Sequence, residues 1–452
     1  MAIELSNLTF TDQDDIVPLS GVEQILNTGI ANTLVGNDTI TGIGSLNFND
    51  LSSEYGIYNY GTLNTAEGND VITGTAGFQG IVNSGTLNTA EGNDIITAQG
   101  EILVGLENIG TLNLAEGNDI IIAEANGGGI HSSGTLNTGE GNDEITGISR
   151  RGYGIFIAEG SILDTESGND SISGDGGGDT GIYNGSFTFN TGDGNDTIEA
   201  RGGLDGIVNE GIINTNDGKD TIIAGGGGIS RDSGRSISNF SIIDTGDGDD
   251  IITGSGGIEN YGNINTGDGD DSIISTVVDP DYFTNGVLEN FNFIDTGNGN
   301  DIITGVIYNE GIINTGDGAD SIIVDGGVDD TDSGYGIFNN GGLIITGNGD
   351  DSIIANEGFE SAQNSSGAWF LGDGEDYIKG YGSGDFYGGN GNDTLELTPG
   401  TYTVGIWGEG GESPIFTKGD QLMITSEFER LIAGGTIYDF TSLTAGQIIT
   451  VA

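Results

Sequence analysis

A glycine-rich acidic turn recurs along most of the chain, and residues 190–200, NTGDGNDTIEA, are a clear copy of it. The last aspartate of each turn, which is Asp196 in this copy, is called the marker of that turn. The fifteen marker aspartates are Asp38, Asp70, Asp94, Asp119, Asp143, Asp170, Asp196, Asp220, Asp250, Asp271, Asp301, Asp320, Asp351, Asp376 and Asp393. Their spacing runs from 17 to 32 residues and averages about 25. A period of this length predicts a repeat protein in which each unit stacks on the next.

One clean repeat, residues 61–84, contains three short extended segments, TLNT, VIT and GIVN. The segments are too short for helices, are rich in β-branched residues, and end at Gly or Asn, so they are typical of strands. Three short strands in each identical unit predict an all-β fold, a right-handed parallel β-solenoid of about 15 coils with terminal caps. Successive coils of such a solenoid stack about 4.8 Å apart.

Period-two alternation predicts which side chains face the core. One inward column is the aliphatic residue two positions after each marker, and the other two come from the TLNT and GI-x-N strands. Each such Ile or Leu contributes roughly 1.5–3 kcal/mol when buried. The asparagine of GI-x-N also recurs, and we expect it to hydrogen-bond along a corner of the solenoid, at Asn59, Asn83, Asn108, Asn184, Asn209, Asn260, Asn309 and Asn339.

Stacking the turns brings many carboxylates together. The chain has 70 acidic and 9 basic residues, a formal net charge of −61, and no Lys or Arg before Arg150. Two unit charges about 4.8 Å apart repel by about 0.9 kcal/mol even in bulk water, so the turns need cations unless they are simply solvated loops. Carbonyl and carboxylate oxygens without His or Cys favour Ca²⁺ over Mg²⁺. We therefore predict that the fifteen marker aspartates bind several Ca²⁺ ions in one file along one edge.

Residues 388–396, GGNGNDTLE, match the nonapeptide G-G-x-G-x-D-x-U-x, and residues 191–199, TGDGNDTIE, match it with Thr in first place. The region from about 36 to 396 thus resembles the RTX, or haemolysin-type, calcium-binding repeats. The resemblance implies that Ca²⁺ lies between successive turns, held by turn carbonyls and by the marker carboxylates. Most repeats here carry one nonapeptide in about 25 residues, so we expect three sides and one ion file. Weaker sites are expected where the first glycine of the turn is replaced, at Ala66, Ala90, Ala115 and Ser167.

The sequence divides into an N-terminal cap (1–30), a calcium-binding solenoid (31–396) and a C-terminal β cap (397–452). The last segment resembles the C-terminal regions of RTX exoproteins, especially cyanobacterial ones, which carry an uncleaved type I secretion signal. The N-terminus has no visible signal peptide, the chain has no Cys, and no apolar run is long enough to span a membrane. We expect an extracellular or cell-surface protein exported by type I secretion.

The acidic surface argues against nucleic-acid partners. The chain has a single histidine, His131, and scattered basic residues, so we expect no enzyme; a polysaccharide-modifying enzyme is the least favoured alternative. The x position of GI-x-N forms an outward column that is either a lateral contact or a cover for shallow apolar surface: Tyr58, Val82, Glu107, His131, Phe156, Tyr183, Val208, Ser238, Glu259, Tyr308 and Phe338.

These features favour a structural role in a sheath, fibre or surface layer, with self-assembly or a cell-surface polysaccharide as partner. The alternative is an adhesin or a glycan- or ice-binding module. In most turns the residue three positions before the marker is Asp, Glu or Asn, and such residues argue against ice binding. A file of threonines supports it only if those threonines face outward: Thr65, Thr89, Thr138, Thr191, Thr215, Thr266 and Thr315.

Overall fold

The chain forms three strands in each repeat, in the order that the sequence predicts. The computed structural model describes residues 2–18, 23–45, 54–185, 188–226, 235–276, 287–324, 335–361, 367–408 and 413–452. It contains two compact units, Met1–Thr245 and Gly246–Ala452. In each unit the strands build three sheets, which we name sheet I (GI-x-N strands), sheet II (strands after the marker aspartates) and sheet III (strands before the turn).

In the first unit all three sheets are parallel. Sheet I contains Ile3–Glu4, Ile25–Asn27, Tyr55–Asn59, Gln79–Asn83, Val104–Asn108, Gly128–Ser132, Ile155–Ile157, Ile182–Asn184, Ile207–Asn209 and Ile237–Asn239. Sheet II contains Ile16–Val17, Thr39–Ile43, Val71–Ala76, Ile95–Gly100, Ile120–Ala125, Glu144–Ser149, Ser171–Gly176, Thr197–Gly202 and Thr221–Gly226. Sheet III contains Ile30–Asn32, Thr62–Asn64, Thr86–Asn88, Thr111–Asn113, Thr135–Asn137, Ile162–Asp164, Thr188–Asn190, Ile212–Asn214 and Ile242–Asp244.

The second unit continues the same pattern. Its sheet I contains Ile258–Asn260, Val287–Asn290, Val306–Asn309, Ile337–Asn339 and Phe359–Glu360. Its sheet II contains Ile251–Gly254, Ser272–Ser275, Ile302–Thr304, Ser321–Val324, Ser352–Ala355, Tyr377–Lys379, Thr394–Leu397, Arg430–Ala433 and Thr436–Asp439. Its sheet III contains Asn263–Asn265, Phe293–Asp295, Ile312–Asn314, Leu343–Ile345, Ala368–Gly374, Gly384–Gly391, Gly400–Trp407, Ser413–Lys418, Gln421–Ser426 and Ile448–Val451.

The pairing changes near the C-terminus. Strand Gly400–Trp407 pairs antiparallel with both Ser413–Lys418 and Ile448–Val451, and Arg430–Ala433 pairs antiparallel with Thr436–Asp439. Short 3-10 helices lie at Leu5–Asn7 and Phe440–Ser442. No helix in the described part of the chain is long and apolar enough to cross a membrane. The predicted all-β, three-sided parallel β-solenoid is confirmed; its handedness and the predicted domain bounds stay predictions.

The core consists of the three predicted inward columns. Their members are at most 1% exposed: Ile72, Ile96, Ile121, Ile145, Ile172, Ile198, Ile222, Ile252, Ile273, Ile303, Ile322, Ile353, Ile378 and Leu395; Leu63, Leu87, Leu112, Leu136, Leu163, Phe189, Ile213, Ile243, Ile264, Ile294 and Ile313; Ile57, Ile81, Ile130, Ile155, Ile182, Ile207, Ile258, Ile307 and Ile337. Pairing is in register, so like residues lie opposite each other, as Ile96 does with Ile72 and Ile121. The prediction of an exposed outward column was wrong at two positions: Val82 and Ser238 are buried, with 3% and 6% of their surface exposed.

The asparagine column forms the predicted ladder. The amide of Asn59 donates to Oδ1 of Asn83 at 2.8 Å and to the carbonyl of Thr86 at 2.8 Å. Asn83 repeats both contacts with Asn108 and Thr111. Each side chain therefore joins its own coil to the next and satisfies a carbonyl at the corner between sheets I and III, which explains how fully buried amides are tolerated.

Candidate metal centre

The acidic turn has the same backbone form in all fifteen coils. The residue four positions before the marker has a positive φ in each case, at Leu34, Ala66, Ala90, Ala115, Gly139, Glu166, Gly192, Asn216, Gly246, Gly267, Gly297, Gly316, Gly347, Gly372 and Gly389. Glycine adopts this conformation without strain, whereas the other residue types carry a steric cost. The assignment of Ser167 to this position was wrong, because Glu166 occupies it, with φ 59°.

Glycines in the turn also leave room for carbonyl oxygens of the neighbouring coil. A Cβ atom on Gly194 would lie 1.4 Å from the carbonyl oxygen of Gly168, and one on Gly192 would lie 1.0 Å from that of Glu166. The carbonyls of the turn therefore point along the stack toward the next turn. At the position of Gly194, two residues before the marker, all fifteen coils have glycine, because a side chain there would collide with this carbonyl.

The marker aspartates lie inside the protein. All fifteen side chains are between 0% and 2% exposed. The sequence predicted these aspartates in one file along one edge, and the structure shows in addition that they are buried. The other acids of the turns remain exposed: Glu67, Glu91, Glu116, Glu140, Asp193, Asp217, Asp247, Asp268, Asp317 and Asp373. Burial thus separates one carboxylate in each coil from the solvated ones.

One oxygen of each buried carboxylate joins neighbouring coils. The backbone N–H of Asp94 donates to Oδ1 of Asp119 at 2.7 Å, and the N–H of Asp119 donates to Oδ1 of Asp143 at 2.8 Å. The same bond links the other marker pairs from Asp38 to Asp220 and from Asp250 to Asp393. The sequence predicted the stacking but not this bond, which requires the carboxylate to turn back toward the preceding coil.

The second carboxylate oxygen is buried without a regular hydrogen bond in most described coils. This holds for Oδ2 of Asp38, Asp70, Asp94, Asp119, Asp143, Asp170, Asp196, Asp271, Asp320, Asp351, Asp376 and Asp393. In Asp301 the equivalent oxygen accepts from the Thr296 hydroxyl at 2.6 Å. A buried, unsatisfied carboxylate oxygen is costly, so a row of them indicates that each takes up a proton or a cation.

A threonine hydroxyl, five residues before the marker in most coils, faces this oxygen. The predicted threonine file is fully buried, so it points inward. Thr165 shows the arrangement: its side chain contacts the Asp170 carboxyl, while its hydroxyl donates to the carbonyl of Thr191 at 2.9 Å. A hydroxyl has a single hydrogen. While Thr165 donates to that carbonyl, its hydroxyl oxygen and the Asp170 carboxylate present only lone pairs to each other. This contact is favourable only when the carboxyl is protonated or a cation lies between the two oxygens.

Burial raises the pKa of these carboxyls. It raises the pKa of Asp70 to about 7 and that of Asp170 to about 6, with the hydrogen bonds from threonine and backbone acting in the opposite direction. The pKa of Asp119 rises to about 8. Leu114 lies five residues before Asp119, where most coils have threonine, so no hydroxyl counteracts the effect of burial on the pKa of Asp119. Desolvation dominates in every case because the charged form loses its water without gaining a counter-charge.

Three ion pairs of the described residues lie outside the buried row. The ion pairs there join exposed or half-buried groups: Arg150 with Glu124 at 3.8 Å, Arg201 with Glu199 at 2.5 Å and Lys379 with Glu396 at 3.5 Å. Within the same described ranges, no three Asp, Glu, His or Cys side chains converge on one point. A cation in this row would therefore take one or two marker carboxylates and complete its shell with hydroxyl and carbonyl oxygens.

The chain was compared with protein families, curated proteins and solved structures. No protein-family model matches the chain, and no curated protein matches it. Among solved structures, the chain is similar to a hyperactive, Ca²⁺-dependent, β-helical antifreeze protein from an Antarctic bacterium. The two are 14% identical over 98% of this chain and 95% of that chain, with a TM-score of 0.34.

Proposed function

We propose that the protein is a secreted β-solenoid that folds on binding Ca²⁺ and has a structural role at the cell surface or in the extracellular matrix. The observation that carries the proposal is the row of buried marker carboxylates whose Oδ2 atoms make no regular hydrogen bond. Asp170 is the clearest case, because the only hydrogen of Thr165 is directed at the Thr191 carbonyl. The proposal assigns no catalytic activity.

The available donors fit a hard cation. They are all oxygens: the Oδ2 atoms of the marker carboxylates, the hydroxyls five residues earlier, and turn carbonyls such as that of Gly168. The hydroxyls of Thr65, Thr138 and Thr191 are buried as well, and they lie against the carboxyls of Asp70, Asp143 and Asp196. Ca²⁺ accepts six to eight oxygen ligands in flexible geometry, and Mg²⁺ requires a stricter octahedron. When bound, Ca²⁺ would supply the positive charge that neutralises neighbouring coils.

Protons compete with Ca²⁺ for the same oxygens. Since the pKa of Asp119 is raised to about 8 and that of Asp351 to about 7, part of the row is protonated at neutral pH when no cation is bound. At low cytosolic calcium, the marker carboxylates that are not protonated would be charged and without a bound cation. The chain would therefore stay unfolded for type I export. The higher calcium outside the cell would then complete folding.

Isothermal titration with Ca²⁺ and far-ultraviolet circular dichroism in chelator test the proposal. We expect several ions for each chain, a gain of β signal with calcium, and a matching loss in chelator at neutral pH. Titration with Mg²⁺ is the control for nonspecific charge screening. An unchanged spectrum after calcium removal at neutral pH would contradict calcium-dependent folding.

The structural role has a separate test, because calcium binding does not by itself require assembly. Electron microscopy at high protein concentration, with and without calcium, distinguishes ordered fibres or sheets from single particles. We expect calcium-dependent assembly. Strictly monomeric particles under both conditions, with calcium-dependent folding intact, would refute the assembly role and leave the calcium proposal standing.

Ice binding is a second candidate, and one observation favours it. The threonine file that kept this alternative open is buried, but the outer face of sheet II in the first unit carries two files of stiff, β-branched or hydroxylated side chains. They are Thr39, Val71, Ile95, Ile120, Glu144, Ser171, Thr197 and Thr221, and Thr41, Thr73, Thr97, Ile122, Thr146, Ser173, Glu199 and Ile223. Only the two glutamates are charged, although the chain carries a net charge of −61.

A regular, uncharged array of hydroxyl and methyl groups could order water at fixed spacing. A thermal-hysteresis assay in calcium tests this directly. The substitution Thr97→Lys, in the middle of sheet II, should abolish hysteresis, whereas Thr111→Lys, on the exposed face of sheet III, should not. No hysteresis in the unmodified protein would eliminate this candidate.

A further inference from the structure

A ladder of aromatic rings ends abruptly in the first unit. Phe156 and Tyr183 lie opposite each other on neighbouring sheet I strands, with ring centroids 5.0 Å apart and planes within 9°. Tyr153 packs against both rings, at 5.1 Å and 5.6 Å. The residue opposite Tyr183 on its other side is Val208. The face of the Tyr183 ring that points toward the next coil therefore meets a small side chain instead of another ring.

A groove of about 600 Å³ lies at this step. Its lining includes Phe156, Tyr183, Glu159, Glu210, Ile212 and Ser241. The volume is in the range of pockets that hold small ligands. The groove follows the corner between sheets I and III, because Glu159 and Glu210 each lie between a strand of sheet I and the next strand of sheet III. The buried aspartate row lies at a different corner, between sheets III and II.

The groove combines a flat apolar wall with negative charge. Ile212 is 37% exposed, and it joins the aromatic rings in lining the cavity. The hydroxyl of Tyr183 donates to the Glu210 carboxylate at 2.6 Å, which orients that carboxylate at the rim. Glu159 and Glu210 are exposed, and no Lys, Arg or His is among the described residues that line the groove.

We propose that this groove binds a short oligosaccharide of amino sugars. The C–H face of a pyranose ring packs on Tyr183 and Ile212, as apolar rings pack on aromatic surfaces. Hydroxyl groups donate to Glu159, Glu210 and Ser241. A protonated amino group is attracted both by the carboxylates and by the electron-rich face of the tyrosine.

The negative charge of the chain discriminates between acidic, neutral and amino sugars. Uronic and sulfated sugars are repelled by the two glutamates and by a net charge of −61. A neutral sugar keeps the packing and the hydrogen bonds but loses the ion pairs. A linear polyamine keeps the charge but has no ring face to pack on Tyr183. The groove thus favours the ligand that offers both features.

Binding of glucosamine tetramers to calcium-loaded full-length protein, at a pH where the amino groups are protonated, tests the proposal. We expect Tyr183→Val, which copies Val208 of the next coil, and Glu210→Gln each to weaken binding by about tenfold. The matched control is Tyr308→Val: Tyr308 is an aromatic of the second unit whose ring stacks on Phe338 at 5.4 Å. The control should bind like the unmodified protein, and thermal melting verifies that all variants stay folded.

Three results would overturn the proposal. They are equal affinity of the folded Tyr183→Val variant, equal affinity for the neutral N-acetylated tetramer, and displacement of the sugar by spermidine at equal concentration. Each would show that ring packing or charge is not what selects the ligand. The outcome does not depend on the calcium proposal, because none of these groove residues belongs to the aspartate row.

Discussion

Leu114 lies five residues before Asp119, at the position where most coils place a threonine beside the buried carboxylate. Burial raises the pKa of Asp119 to about 8, whereas Asp143, with Thr138 at that position, reaches about 6. The hydrogen bond from the Thr138 hydroxyl favours the ionised form of Asp143 and so offsets part of the effect of burial. Leucine offers no hydrogen bond, so only the backbone N–H of Asp94 offsets the burial of Asp119.

The substitution Leu114→Thr should lower the pKa of Asp119 toward the value of about 6 found for Asp143. The added hydroxyl donates to the ionised form and so stabilises it. Carbon-detected NMR titration of the Asp119 carboxyl in calcium-free protein measures the change. Leu114→Val is the matched control, since valine has the shape of threonine without the hydroxyl. Equal pKa values in the two variants would refute the role assigned to the hydroxyl.

Without calcium, stability should fall as the pH rises. The folded pKa values of Asp70, Asp119 and Asp351 are about 7, 8 and 7, and an unfolded aspartate titrates near about 4. The folded state therefore holds more protons between these values, and its free energy of unfolding decreases from about pH 4 to pH 8. Calcium binding needs the ionised carboxylates, so its stabilising effect should grow over the same range.

Urea unfolding at about pH 5, 6, 7 and 8, with chelator and with millimolar calcium, measures both trends. The midpoint should fall with pH in chelator, and the difference between the two conditions should widen. Acidification to about pH 5 should therefore restore part of the fold that chelator removes at neutral pH. A chelated protein that becomes more stable as the pH rises would contradict the assignment of the buried row.

Asp196→Asn should separate charge from hydrogen bonding. An amide keeps an oxygen that accepts the N–H of Asp170, a bond of 2.7 Å in the native protein, but it removes the buried charge. The variant should be more stable than the native protein in chelator and less stabilised by calcium, with about one ion fewer bound. Calorimetric titration and chelated melting measure the two effects. Asp193→Asn, in the exposed part of the same turn, is the control and should change neither by much.

Asn83→Ala should destabilise the calcium-loaded protein by about 1–3 kcal/mol. It removes the bonds to Asn108 Oδ1 at 2.9 Å and to the Thr111 carbonyl at 2.8 Å, and it leaves the buried amide of Asn59 with only one of its two acceptors. The exposed Asn93, which also bonds to the neighbouring coil, is the control, and Asn93→Ala should cost about 0.5 kcal/mol or less. If urea unfolding shows similar losses of unfolding free energy for both variants, burial of the asparagine ladder does not add to stability.

The fold was predictable from the sequence because the repeat supplies the same information many times. Ile96, Leu87 and Ile81 each belong to a column whose alternation with polar residues leaves one face for the core. The asparagine ladder was predictable for the same reason, since an amide repeated at one corner can pair only with its own copies. Val82 and Ser238 are buried although alternation places them on the outward face, because alternation predicts the face of a residue and not what packs over it.

The site was only half predictable. Spacing and residue type placed the marker aspartates in one file, and an all-oxygen donor set selected the class of cation. Sequence did not show that Asp170 is buried, that its Oδ1 accepts an N–H from the preceding coil, or that Thr165 lies against it. A signal was present, because a threonine recurs five residues before most markers, but its direction depends on the turn conformation.

By itself, the sequence determined the coil, its three strands and its inward columns, because period and alternation are local properties that stacking repeats. Only the tertiary structure decided which carboxylates lose their water, where the hydroxyls point, and that the Tyr183 ring stacks on Phe156 and also lines a groove. These outcomes depend on the coil above and the coil below. The positions of those coils follow from chain geometry across tens of residues, which no single turn encodes.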